Sequence, residues 1–212
     1  MKTVIDMVKS GLKVLPFYLF TLLPLFTSCS EAEEEDLEYA DWQNRNEAYF
    51  ESQYQAYSVQ SATKFVLPSW GQASSKSVSE VAHTNCVLVD VIESGEGPAC
   101  QTSPYYTDSV AVNYSGRLMP TTRYPSGYEF DRTYLTTFDP DVDVPSQFAV
   151  NGVVEGFATA LQHMHRGDTW RVTVPYQLGY GTADRTTIPA YSTLVFEVQL
   201  VDFWSKKKGD RD

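Results

Sequence analysis

The chain has 212 residues, 42% hydrophobic and 20% charged, with 16 basic against 27 acidic side chains and a formal charge of −11. That length accommodates one domain with an appendage. An acidic balance of this size lacks the basic face needed to neutralise phosphates, so no nucleic-acid partner is expected.

The N-terminus carries Lys2, Lys9 and Lys13, then an apolar run over 14–26 interrupted by Pro16, Thr21 and Pro24, then Thr27, Ser28 and Cys29. A run this short and proline-broken reads as a secretory signal over 1–28 and not as a spanning helix. Small residues directly before a cysteine resemble the processing site of bacterial lipoproteins, which implies lipid on a new N-terminal Cys29. An ordinary signal peptide cut nearby is the other reading. Residues 29–36 form an acidic tether, with Glu31, Glu33, Glu34, Glu35 and Asp36. It resembles the export tag of surface lipoproteins in Bacteroidetes-type bacteria, and a self-repelling solvated linker is equally open. The expected location is the cell envelope, lipid-anchored in the outer membrane, with the face it occupies left open by the sequence. Without residues 1–28 the chain keeps 13 basic and 26 acidic residues, a charge of −13, and no further apolar run long enough to span a bilayer. Membrane contact is then expected through the lipid alone.

Between 37 and 64 the apolar residues Leu37, Ala40, Trp42, Tyr49, Phe50, Tyr54 and Tyr57 stand among polar ones with no Pro or Gly, which predicts an amphipathic helix over 37–64. Its aromatic stripe could bind a partner, pair with a second copy or pack on the domain that follows; packing is expected. Pro, Gly, Ser, Gln and Lys between 68 and 79 mark a linker over 65–85.

From Cys86 the pattern turns to strands. Val87, Val89 and Val91 alternate with Leu88, Asp90 and Ile92 before a Ser-Gly-Glu-Gly turn; Val110, Val112 and Tyr114 share one face, as do Trp170, Val172 and Val174, and Leu194, Phe196, Val198 and Leu200. Only Val154, Phe157, Ala158, Leu161 and Met164 fall three to four apart, predicting one short helix that Gly167 stops. Antiparallel strands with one short helix make an α+β domain, the helix covering one sheet face. The three cysteines of an exported chain fit one lipidated Cys29 plus a Cys86 to Cys100 disulfide, with two independent buried thiols as the alternative.

Three blocks then carry a family likeness in order: DSVAVNYSGRL at 108–118, YEFDRTY at 128–134, and the stretch 148–203 from FAVNGVVEGF to LVFEVQLVDF. Together they resemble the FKBP-type peptidyl-prolyl cis/trans isomerases, the macrolide-binding immunophilins. The resemblance covers 86–204, leaving a charged tail over 205–212. It implies a bent antiparallel half-barrel wrapped around one helix, rotation of X-Pro bonds without cofactor or metal, Pro-containing polypeptides as clients, and macrolides as inhibitors.

Carried over residue by residue, the resemblance implies a pocket lined by Tyr114, Phe130, Val153, Val154, Phe157, Ile188 and Phe196. Phe157 would be its floor and the Val154 amide a ligand donor. Tyr180 would donate its hydroxyl to a bound carbonyl, Asp131 would orient the amide electrostatically, and with Phe130 these two would be the catalytic set. By composition alone the aromatics would read as core and Asp131 as a turn residue. The chain departs from the family in the longer insertion between Leu118 and Phe130, in added acid over 139–143, in Ser146 where some relatives place an aromatic, and in the 182–187 loop. Reduced macrolide affinity is therefore expected. His163 and His165, two apart, do not make an i, i+4 ligand pair, and no nucleophile elbow or phosphate loop is present.

Overall fold

The computed structural model describes residues 37–72, 77–96, 101–134 and 143–205. The expected signal segment, Cys29 with its acidic tether, Cys100, most of the acidic 139–143 segment and the tail from 206 onward lie outside the described residues.

Seven strands form one antiparallel sheet: β1 (Lys64–Pro68), β2 (Cys86–Glu93), β3 (Asp108–Leu118), β4 (Glu129–Arg132), β5 (Ser146–Ala149), β6 (Thr169–Val174) and β7 (Leu194–Ser205). Their order is β1-β2-β6-β7-β3-β4, with β5 pairing β3. The long β3 and β7 are the spine, in register from Asp108 opposite Ser205 to Leu118 opposite Leu194, with an irregularity between Ala111 and Val112. Period-two alternation sends Val110, Val112 and Tyr114 of β3, Trp170, Val172 and Val174 of β6, and Leu194, Phe196, Val198 and Leu200 of β7 into one core.

The helix α2 (Glu155–Leu161) covers that face, and every residue from Gly156 to Leu161 is buried. It can lie so close because Gly156 faces Val174 and Val87, where a side chain would collide with both. The helix ends in an ordinary right-handed cap at Gln162. Gly167, expected to stop it, instead takes φ 87° in the turn before β6, a left-handed conformation glycine adopts without a Cβ penalty.

Two revisions concern the N-terminal part. The helix α1 spans Trp42–Gln55, shorter than 37–64, and the expected helix end and linker are occupied by β1. Phe65, Val66 and Leu67 pair with Val89, Leu88 and Val87, so these residues gain ladder bonds that neither a helix end nor a linker would provide. Pro68 ends this edge strand, a position where its missing N–H is tolerated. Two 3₁₀ turns, Val78–Glu80 and His83–Asn85, follow in place of a structureless linker.

β1 pairs along the edge of β2, and α1 adds a second apolar cluster on the face opposite the main core, so β2 is buried on both faces and four successive residues, Cys86 to Val89, are at 0% exposure. Val87 and Val89 enter the main core, while Cys86 and Leu88 join Phe50, Tyr57, Val66 and Val81 in a second cluster beneath α1. Burying a side chain such as Phe50 contributes about 1.5–3 kcal/mol. Polar ties complete the docking. Trp42 Nε1 donates to Ser192 Oγ at 2.9 Å, Asn46 Oδ1 accepts from the Thr193 amide at 2.7 Å, and Tyr57 donates to Asp90 Oδ2 at 2.8 Å.

The expected disulfide is also revised. Cys86 is a free thiol within the second cluster, 3.7 Å from the Ala82 carbonyl. It behaves as a small apolar residue, and burial pushes its thiol up to about 11.

Candidate functional site

At the open end of the sheet, where α2 begins, the fold leaves a cavity of about 230 Å³. Its floor is Phe157, the third residue of α2, whose ring lies 4.8 Å from Phe196 on β7 and 6.0 Å from Tyr114 on β3. Phe130 on β4 stands edge-on to Phe196, centroids 5.9 Å apart at 89°. Gly116 makes room for it: a Cβ there would come within 2.5 Å of the Phe130 ring. Val153 and Val154 enter from the chain just before α2, and Tyr180 from the turn after β6.

The structure thus brings together Tyr114, Phe130, Asp131, Val153, Val154, Phe157, Tyr180 and Phe196 around one cavity. Ile188 is the exception. It is 5% exposed, packs in the main core and lines a separate, larger groove. The loop folds back on itself there, with the Arg185 amide donating to the Ile188 carbonyl.

Phe148 and Gly152 also line the cavity and were not expected. Phe148 sits opposite Val110 and Ser146 opposite Val112, so alternation puts both on one face of β5. The aromatic missing at 146 is supplied two residues later, and its ring meets Tyr114 at 5.8 Å. That one-period displacement was readable in Ser-Gln-Phe-Ala.

The polar groups divide into committed and uncommitted. The Tyr114 hydroxyl donates to Asp131 Oδ2 at 2.5 Å. Burial and then that carboxylate hold its phenol well above the usual tyrosine range, so it keeps its proton. Asp131 Oδ1 accepts from the Arg132 amide at 2.9 Å, and the carboxylate is exposed at the rim. The Tyr180 hydroxyl, by contrast, has no hydrogen bond to any of the described residues, and Arg185 lies over its ring at 5.3 Å. The cavity therefore offers apolar walls, one oriented carboxylate and one free O–H donor.

The insertion between Leu118 and Phe130 and the loop after Tyr180 build the neighbouring groove, of about 590 Å³. Arg123, Tyr124 and Tyr128 come from the first insertion, Asp184 to Pro189 from the later loop, and Glu38 and Tyr39 from the segment before α1.

Residues 100–201 match the family model described as FKBP-type peptidyl-prolyl cis-trans isomerase. The chain is 34% identical over 124 residues to the FKBP-type peptidyl-prolyl cis-trans isomerase FkpA of Escherichia coli K12, covering 58% of this chain and 40% of that protein. It is 38% identical over 113 residues to the FKBP-type 22 kDa isomerase of the same strain, covering 53% and 47%. It is 39% identical over 108 residues to the macrophage infectivity potentiator of Trypanosoma cruzi, covering 50% and 49%. The chain thus spans less than half the length of these curated relatives. The crystal structure of FkpA from E. coli superposes with a TM-score of 0.55 at 25% identity, covering 83% of this chain and 67% of that one.

Proposed function

We propose that this chain, which carries an FKBP-type domain, is a peptidyl-prolyl cis/trans isomerase acting without cofactor on Pro-containing polypeptides at the bacterial cell envelope. The observation that carries the reading is the aromatic cavity with an uncommitted Tyr180 hydroxyl beside an oriented Asp131.

Rotation about a peptide bond meets a barrier of about 18–20 kcal/mol, and uncatalysed X-Pro exchange takes tens to hundreds of seconds. No bond is broken, so no nucleophile is required. The catalyst has only to favour the twisted amide, in which nitrogen no longer shares its lone pair with the carbonyl. Phe157, Phe196, Phe130 and Tyr114 hold the proline ring in a dry site, where fixed dipoles act more strongly than in water. Tyr180 donates to a client carbonyl, with the Val154 amide as a second donor. Asp131, held by Tyr114, sets the field around the rotating amide.

The envelope location rests on the signal-like 1–28 segment, Cys29 and the acidic run that follows. Macrolides that mimic a prolyl segment would occupy the same cavity, with affinity lowered by the altered loops. The large adjoining groove favours a second reading, a binding module or holdase that captures prolyl or apolar segments with little turnover. A protease-coupled assay of cis/trans exchange on prolyl peptides separates the two. Exchange faster than background supports the isomerase, and binding without acceleration supports the module.

A further inference from the structure

The arginines of the described residues fall into two groups. Arg117, Arg132, Arg166 and Arg171 each pair with a carboxylate, and Arg45 donates to the Glu38 and Ala40 carbonyls. Arg123 and Arg185 have neither an ion pair nor a guanidinium hydrogen bond among the described residues. Both line the same 590 Å³ groove, and each rests on a tyrosine, Arg123 at 5.6 Å over Tyr124 and Arg185 at 5.3 Å over Tyr180.

Two unpaired guanidinium groups facing one groove are conspicuous in a chain of net charge −11. Two carboxylates also line the groove, and neither reaches either arginine. Asp184 Oδ1 is committed to the Ala190 amide at 2.8 Å, and Glu38 turns Oε1 inward, buried away from solvent. The arginines are held on ring faces, which leaves the guanidinium edges able to bond a carboxylate in fork geometry. Since Tyr180 lines the aromatic cavity and carries Arg185 on its ring, the groove begins where the cavity ends.

We propose that this groove is a specificity subsite for an acidic side chain on the client, lying beyond the proline. The proposal rests on the isomerase reading and adds a substrate class to it. The 5.3 Å from the Tyr180 ring to the Arg185 guanidinium is about one and a half extended residues at about 3.3–3.6 Å each, which puts the recognised carboxylate roughly two residues from the proline. Arg185 and Arg123 bind it jointly, so loss of either weakens recognition while the cavity itself is unchanged.

The test uses the full chain and two prolyl peptides identical except for Asp or Asn two residues from the proline, on either side. The expected result is a KM about three- to tenfold lower for the Asp peptide at low salt, with kcat little changed. The preference should shrink at 0.5 M salt, as screening requires. Arg123→Gln should abolish most of it while leaving turnover of the Asn peptide within about twofold, and Arg123→Lys should restore part of it. Equal KM for both peptides in the parent overturns the proposal. So does a preference that emerges only when Glu31 and Glu33 to Asp36 are changed to their amides, since the groove would then hold the chain's own acidic segment. A preference unaffected by Arg123→Gln and Arg185→Gln overturns it equally. Absence of exchange on every peptide is a different result and removes the isomerase reading itself.

Discussion

Tyr114 and Asp131, on neighbouring strands β3 and β4, are joined by a hydrogen bond of 2.5 Å from the phenol to the carboxylate. The bond fixes the direction of an otherwise exposed charge. Tyr114→Phe should therefore lower kcat for prolyl exchange several-fold with little change in KM, and Asp131→Ala should do the same, the pattern of an interaction felt in the transition state. Because the two act as a unit, the double variant should be little worse than Asp131→Ala. Fully additive losses in that cycle would show that the tyrosine acts independently.

Tyr180→Phe removes one free donor and nothing else. Prolyl-peptide binding should weaken by about 0.5–1.5 kcal/mol, with a modest loss of turnover. Phe130→Ala removes the wall that Gly116 accommodates, so both binding and turnover should fall more steeply. Calorimetric titration beside the exchange assay distinguishes the two, once both variants are shown to be folded.

Asn46 is fully buried, with its Oδ1 on the Thr193 amide and its Nδ2 on the Trp42 carbonyl. Asn46→Ala strands a buried amide and should cost about 1–3 kcal/mol in urea unfolding. A helix that merely decorated the surface would leave stability unchanged.

Cys86 makes stability depend on alkaline pH. Its folded value, about 11, lies above the ordinary value of 9.0, so the native state holds the proton more tightly than the unfolded chain. That contribution is complete below pH 9 and is lost as pH rises toward 11, by on the order of 2 kcal/mol at about 1.4 kcal/mol per unit. Tyr57 and Tyr114, both raised from 10.0, add loss in the same direction once pH passes about 10. Urea unfolding at pH 8 and pH 11 should show the decline, and Cys86→Ala should make it shallower, with most of its effect between about pH 9 and 10. The same thiol should titrate with a disulfide reagent only after unfolding.

Under the proposed lipid anchoring, Cys29→Ala should release the protein from membranes, because firm anchoring needs the several acyl chains of a processed lipoprotein. Fractionation of cells expressing parent and variant measures it. A variant retained with membranes as completely as the parent would remove the anchor from the proposal.

Much of the site was legible because its residues lie on regular elements. Tyr114 and Phe196 follow the strand period and Phe157 the helix period, so repeat gave the inward face of each, while their gathering into one pocket was implied only by the family resemblance. Ile188 lies along the larger groove beside the aromatic cavity, and a loop has no period to tell which of two adjoining hollows it faces. The edge strand β1 escaped because Lys64–Pro68 offers only five residues, ends in proline and owes its form to pairing with β2, a tertiary effect. The Cys86 to Cys100 pairing failed for a related reason: a count of cysteines carries no information about which cluster surrounds each sulfur.

Glu38 and Tyr39 already line a groove of the folded body, and Trp42 is in its core. Under the proposed anchoring, the leash is only residues 29–36, which even fully stretched reaches at most about 28 Å. The aromatic cavity would then patrol a thin layer above the lipid, meeting clients by sideways diffusion in two dimensions and leaving those farther out untouched.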